Sequence, residues 1–366
     1  MIKEYSIENY KGFQNLNIPN LTKINLFGGK NNVGKTSLLE SIFTFYDRFN
    51  PDVLLKQLLW RGAVLAAISN DTQHELWQST FNNFDIKKKI KLSSIDTKKL
   101  NEKVEIQIDE NFVIPVSSNE LQKINKDFNT STTQTKSRYA LHITASINNK
   151  SKQDSHVYLV NNNMQMYVKF LDNSNRKIVT FLSPKTQSPL SESLRFGELI
   201  KKGKENILVE ILKEMIEPRL KSIYPIPISE NQILLHADIG LSSKIPLNYL
   251  GDGMFRILSY LAAILNSPNG IVLIDEIENG LHYSIHKDLW KILFKTANEY
   301  NVQLFINTHS IEMVHAFNSI AKETSPNDFM YYELFQNISN NQISINQIDT
   351  DLLQFKLKNN KSFRGE

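Results

Sequence analysis

The sequence predicts an α/β fold: a mixed central sheet flanked by helices and interrupted by a long α+β insertion. Three observations carry that reading. Residues 22–27 form a short apolar strand, residues 29–36 (Gly-Lys-Asn-Asn-Val-Gly-Lys-Thr) a glycine-bearing loop, and residues 37–42 the start of a helix. Residues 271–276 (Ile-Val-Leu-Ile-Asp-Glu) are a continuous apolar run ending in two acids, as expected of a strand covered on both faces. Between these segments, residues 49–229 carry no comparable motif and read as the insertion.

The elements follow in order. Residues 1–27 read as two strands around a turn at Lys11-Gly12, with a loop at Pro19-Asn20. A helix over 36–46 follows the glycine loop. In the insertion, 52–68 is apolar and predicts a helix, whereas 103–108 and 140–145 alternate and predict strands. Residues 129–137 and 148–155, rich in Ser, Thr, Asn and Lys, predict hairpin tips or loops. Ile207, Leu208, Ile211, Leu212, Met215 and Ile216 recur at helical spacing, and Pro218 stops that helix. Strands are then expected at 232–237 and 244–247, a helix at 255–265, a turn at 267–270, a helix at 284–300 and a strand at 302–307. The core is therefore discontinuous, 1–48 and 230–366, with 49–229 as the partner or specificity region.

Composition narrows the classes. Hydrophobic content of 41% and aromatic content of 10% over 366 residues indicate a packed globular protein. Net charge of +4 is too weak to argue for nucleic acid or for an acidic partner. With no cysteine, disulfides, zinc–thiolate sites and cysteine nucleophiles are excluded. Charges interrupt the start and no apolar run approaches membrane-spanning length, so neither a signal peptide nor a membrane span is expected, and a cytoplasmic location follows. No heptad repeat predicts a long coiled-coil arm.

Residues 29–36 fit G-x-x-x-x-G-K-[ST], the Walker A pattern. Its glycines let backbone N–H groups wrap phosphate oxygens, and the following helix offers its positive end to the same anion. Gly29, Asn31, Asn32, Val33, Gly34, Lys35, Thr36 and Ser37 are the candidate ATP-binding residues. Lys35 reaches the β- and γ-phosphates, and the Thr36 hydroxyl binds Mg²⁺. The Asp-Glu strand end is a Walker B segment: Asp275 holds Mg²⁺ and Glu276 acts as general base. His309, just past the next strand, can reach the γ-phosphate and attacking water, making Glu276, His309 and Lys35 the catalytic candidates. Gly251-Asp252-Gly253 opens the helix before the Walker B strand and reads as a second anion-binding helix end. One phosphate cradle already exists, so this turn is expected to face the nucleotide of a second protomer.

This order of parts resembles the ABC-type ATPases. Residues 7–13 (Ile-Glu-Asn-Tyr-Lys-Gly-Phe) and 28–32 (Gly-Gly-Lys-Asn-Asn) look like the branch containing RecF, SMC proteins and OLD-family ATPases. Residues 250–258 and 275–282 look closest to small prokaryotic AAA/ABC-like ATPases of anti-phage systems, such as the AriA and PtuA components. The resemblance implies a head-to-tail homodimer or higher oligomer clamping two ATP molecules, with residues 278–281 crossing between sites and Lys11 approaching the nucleotide. The signature reads Leu-Gly-Asp-Gly-Met, without the serine that normally touches the γ-phosphate. Gln57, Gln73 and Gln78 are the candidates for the lobe-coupling glutamine.

In such an arrangement ATP acts as glue and hydrolysis as release. The leading expectation is a nucleotide-gated sensor or scaffold controlling a separate effector in anti-phage defence. A RecF-like DNA-repair ATPase is the alternative, with Lys87-Lys88-Lys89, Lys91, Lys98-Lys99, Lys201-Lys202 and Lys204 as a DNA-binding face. An OLD-type nuclease is disfavoured, since only 57 residues (366 minus 309) follow His309. A membrane-transporter ATPase is disfavoured by the large insertion and the RecF-like start.

Overall fold

The computed structural model describes residues 1–61, 77–113, 138–160, 163–172, 176–230, 232–337 and 339–359. The segment 129–137 and the end of the expected 52–68 helix lie outside them, as does Gln73.

The central sheet has six strands in the order β16-β15-β3-β14-β13-β9. These are β3 (Ile24–Gly29), β9 (Val179–Leu182), β13 (Ile271–Ile274), β14 (Gln303–Asn307), β15 (Phe329–Gln336) and β16 (Ile343–Ile348). All neighbours pair in parallel except β15 and β16, so the sheet is mixed as expected. Alternating side chains feed two different cores. Leu26, Leu182, Val272, Ile274, Leu304 and Ile306 enter one, while Phe27, Phe181, Ile271, Leu273 and Phe305 enter the other. Burial on both faces is why residues 271–274 are apolar without a break.

Helices α3 (Pro189–Lys201), α4 (Glu205–Met215), α5 (Asp252–Asn266), α6 (His286–Glu299), α7 (Ile311–Glu323) and α8 (Thr350–Lys358) supply the first core. Local chemistry sets several of their starts. Ser188 forms a capping box with Ser191, and Pro189 occupies the first turn of α3. Ser310 caps α7, and Asp349 caps α8 by accepting from two backbone N–H groups.

On the opposite face lie α1 (Lys35–Asp47) and α2 (Val53–Trp60), then a seven-stranded antiparallel sheet in the order β2-β1-β4-β5-β6-β7-β8. It joins the amino-terminal hairpin, β1 (Ile2–Tyr10) and β2 (Phe13–Ile18), to β4 (Ile90–Asp96), β5 (Asn101–Phe112), β6 (Arg138–Ile147), β7 (Lys150–Val160) and β8 (Asn163–Leu171). A third sheet holds β10 (Ser222–Ser229), β11 (Gln232–Asp238) and β12 (Ile245–Pro246).

Two features depart from the sequence reading. The segment 49–229 does not stand apart from the sheets: β4 pairs with β1, and β9 pairs in parallel with the Walker B strand β13. Residues 150–155, expected as a loop, lie in β7, and only the Asn148-Asn149 turn is tight, with φ of 48° and 65°. Asn tolerates that left-handed pair, so the polar bias marked the turn and overstated its length.

Candidate active site

The parallel strands β3, β13 and β14 end side by side, so their carboxyl-terminal loops converge. Between them opens a cleft of about 810 Å³, bordered by Lys35, Thr36, Arg61, Glu276, Glu278 and His309 together with Asn31, Asn32, Gly34 and Ser37. Walker A, the second Walker B acid and His309, far apart in the chain, thus face one space. Val33, a candidate for the cradle, is buried beside the loop and packs into the core.

The loop's glycines are sterically required at two positions. Gly29 has φ 127°, and a Cβ there would sit 2.2 Å from the Leu334 carbonyl oxygen. Gly34 has φ 87°, with the Phe13 ring 2.9 Å from any Cβ. The Lys35 ammonium donates to the carbonyls of Gly29 (2.8 Å) and Lys30 (2.7 Å). Burial lowers its pKa to about 8, opposed by the charges of Glu278, Asp275 and Glu276.

The Thr36 hydroxyl donates to Asp275 Oδ1 at 2.9 Å. Asp275 is 8% exposed, and desolvation raises its pKa to about 6. A hydroxyl and a carboxylate meeting beside a phosphate cradle are hard oxygen donors, a set that fits Mg²⁺. Glu276 sits in the cleft with φ 53°, a left-handed conformation that costs about 1 kcal/mol for a non-glycine residue. Asn307 holds that turn. Its Oδ1 accepts from the Glu276 N–H at 2.6 Å, and its amide nitrogen donates to Asp275. Glu278 in turn accepts from the Thr308 hydroxyl (2.7 Å) and the His309 N–H (2.6 Å), positioning the histidine. Desolvation, then the charge of Lys35, holds His309 below the usual imidazole range, so its ring is neutral near pH 7.

Lys11 lies in an adjoining hollow that shares Asn32, Gly34, Ser37 and Arg61 with the cleft. Its ammonium is bonded to Glu40 (2.6 Å) and Gln57 (2.8 Å), and burial lowers its pKa to about 8. Gln57 also accepts from Tyr10 and donates to Thr44, so its amide is consumed behind α1. Gln78 stands in the turn before Phe81 and does not border the cleft.

Sequence reasoning missed three features. Arg61 borders the cleft, chelating Glu40 (2.6 and 3.1 Å) and donating to Ser37 at 3.2 Å. Asn307 is fully buried and touches both Walker B acids. The loop after β9 brings Ser183, Pro184 and Lys185 against Thr36, Asp275 and Glu276 in a hollow of about 200 Å³. It also carries Gln187, whose amide atoms are buried without a partner. The run 178–182 followed by Ser-Pro was a readable strand-and-turn signal for that loop.

The signature lies elsewhere. Gly251 (φ 102°) and Asp252 are exposed at the start of α5, and Gly253 packs near Gly280 and Leu281. None of residues 251–253 borders the cleft of its own chain.

Residues 24–314 match the family described as "AAA domain, putative AbiEii toxin, Type IV TA system". An ATP/GTP phosphatase of Helicobacter pylori is 25% identical over 345 residues, covering 88% of this chain and 89% of that protein. Among solved structures, the Smc head bound to the C-terminal winged-helix domain of ScpA is similar at 12% identity and TM-score 0.45, covering 95% of this chain and 97% of that one. The SMC head domain of Thermotoga maritima is similar at 10% identity and TM-score 0.45, covering 95% and 99%. Since the family match spans well over half its length, the chain belongs to this AAA-domain family and is an ATPase.

Proposed function

We propose that the chain binds ATP with Mg²⁺ in the 810 Å³ cleft and completes the hydrolytic site only when a second copy closes over it. Glu276 orients the attacking water and accepts its proton, held there by Asn307. Lys35 exchanges two neutral carbonyl partners for anionic phosphate oxygens, a gain from charge-assisted bonding. Thr36 and Asp275 would hold the magnesium ion, which would neutralise charge on the phosphates. The neutral His309 ring stands beside Glu276 and Lys35, where the γ-phosphate would lie.

The observation that carries the reading is the convergence of Lys35, Thr36, Glu276 and His309 on one cleft. The near full-length likeness to an ATP/GTP phosphatase supports triphosphate hydrolysis. The trans role of residues 251–253 is supported by their position outside that cleft and by the exposure of Gly251 and Asp252 at a helix start. ATP then clamps two copies and hydrolysis releases them, making a nucleotide-gated sensor or scaffold for a separate effector. A role in anti-phage defence is supported by the toxin-system description of the family. Duplex-DNA binding is the weaker reading. Lys88, Lys89, Lys91 and Lys201 each pair with a neighbouring acid at 2.7–3.2 Å, which offsets the charge a phosphate face needs. Among the described residues no helix is long and apolar enough to cross a membrane.

The test is Glu276→Gln. It should bind ATP normally, lose turnover by about 10²–10⁴-fold, and accumulate an ATP-loaded dimer in light scattering. Lys35→Ala, which cannot bind ATP, should stay monomeric beside it. Unchanged turnover in Glu276→Gln would remove the glutamate from its role.

A further inference from the structure

The geometry points to a transition-metal site on the outer face of the seven-stranded sheet, built from His142, Asp154 and His156. It is separate from the ATPase cleft and independent of the reading given above. Strands β5, β6 and β7 turn Val104, Ile106, Leu141, Ile143 and Val157 towards the core. Strand alternation therefore puts Gln107, Asp109, His142, Asp154 and His156 together on the other face. Gln107 pairs with His142, and His142 with His156, as direct cross-strand neighbours.

The ligand atoms of His142, Asp154 and His156 all lie within 4.8 Å of one another. Ligand atoms in a tetrahedral zinc shell sit about 3.4 Å apart, so binding requires the atoms to close up and the two stacked rings to tilt towards a common point. His142 Nε2 is 2.8 Å from Asp154 Oδ1, and His156 Nε2 is 3.3 Å from Asp109 Oδ2. His142 thus directs Nε2 at Asp154, whereas His156 spends Nε2 on Asp109 and keeps Nδ1, buried and unpartnered, as its ligand atom. Packing orients the rings. Those of His142 and His156 stack at 4.3 Å and 3°, and Phe112 covers the other face of His156 at 4.4 Å.

A structural ion-pair cluster accounts for part of this arrangement but not for all of it. Two stacked imidazolium ions repel, so the pair cannot carry both charges comfortably. His156 Nδ1 is buried with no hydrogen-bond partner, an unusual cost for a ring whose role is only to pair with Asp109. The Gln107 amide nitrogen lies 3.2 Å from His142 Nδ1, and the same amide turned over presents its oxygen to the N–H of a ring bound to metal through Nε2. The competing cation is Lys169, 3.5 Å from Asp154 Oδ2 and 71% exposed, so free to swing aside. The ligands are only partly exposed, at 23%, 27% and 15%, leaving a path for an ion but little room for a large ligand. Two imidazoles and a carboxylate select Zn²⁺ or a similar borderline ion over Mg²⁺. Water would complete the shell, with Asp109 holding His156 from behind through Nε2.

The test uses the full chain, stripped with a chelator and titrated with Co²⁺ without nucleotide. One equivalent per chain should give the intense visible d–d absorption of a four-coordinate site, removed by added Zn²⁺ but not by Mg²⁺. His156→Ala and Asp154→Ala should abolish the band, with folding checked by circular dichroism. Gln107→Leu, which leaves every ligand in place, should weaken affinity by about 10–100-fold. Asp275→Asn should keep the band. No band in the wild-type chain, its survival in folded His156→Ala, or its loss in Asp275→Asn would each overturn the proposal.

Discussion

The Thr36 hydroxyl donates a 2.9 Å hydrogen bond to Asp275, a residue 239 positions further along the chain. That bond joins the first helical turn after the phosphate loop to the end of the Walker B strand. It also shows where the site stores unfavourable energy. Asp275 is buried, its hydrogen-bond donors Thr36 and Asn307 are neutral, and desolvation with the charges of Glu276 and Glu40 raises its pKa to about 6.

The sign of the resulting pH dependence follows. Below about pH 4 Asp275 is protonated whether the chain is folded or not. Between about 4 and 6 the folded protein keeps a proton that the unfolded chain has released, so nucleotide-free stability falls as pH rises through that window. Asp275→Asn should remove this slope and stabilise the free protein at pH 7 by on the order of 2 kcal/mol, while abolishing Mg²⁺-dependent turnover. Thermal denaturation from pH 4 to 8 checks it. A lower melting temperature for the variant at pH 7 would contradict the burial argument.

Asn307 does not border the cleft, and its side chain bonds to both Walker B residues. Asn307→Ala leaves the Glu276 N–H unpaired in a left-handed turn and strips a donor from Asp275. We expect a loss of about 1–3 kcal/mol in stability and at least a tenfold fall in turnover. ATP affinity, set mainly by the Lys35 loop, should change little. Calorimetry with ATP, set beside steady-state rates, separates the two effects.

Gly253 offers a test of the composite site. A Cβ there would meet nothing closer than 3.6 Å in its own chain, so a side chain is sterically tolerated. Gly253→Glu should therefore fold and bind ATP as a monomer, yet lose hydrolysis because the added carboxylate would face the partner's triphosphate. Retained turnover, or turnover independent of protein concentration in the wild type, would count against assembly in trans.

Much of the fold was legible because the decisive signals are local. The strand–loop–helix around residues 29–36, the apolar run at 271–274 and the helix stopped by Pro218 each lie within one short window. The helix expected over 255–265 starts three residues earlier, at Asp252, because the glycine turn leads straight into it. The apolar run and Ser-Pro turn over 178–184 mark strand β9 locally, but its place beside β13 comes only from the sheet pairing. Gln57 illustrates the same limit. Its residue type suits a coupling role, but its partners Tyr10, Lys11 and Thr44 come from β1, the turn after it and α1.

By itself, the sequence determined the kind of chemistry: a glycine loop, a lysine, a hydroxyl and two acids at spacings that meet the demands of a nucleotide phosphate. Those demands are met by backbone conformation and residue type over a few neighbours, so one chain suffices to read them. Only the tertiary structure decided which side chains serve those groups, namely Asn307 under Glu276, Glu278 under His309 and Arg61 at the cleft's edge. It alone set His142 against His156. Such pairings depend on strand order and register, which arise from burying both faces of the sheets and leave no trace in local spacing.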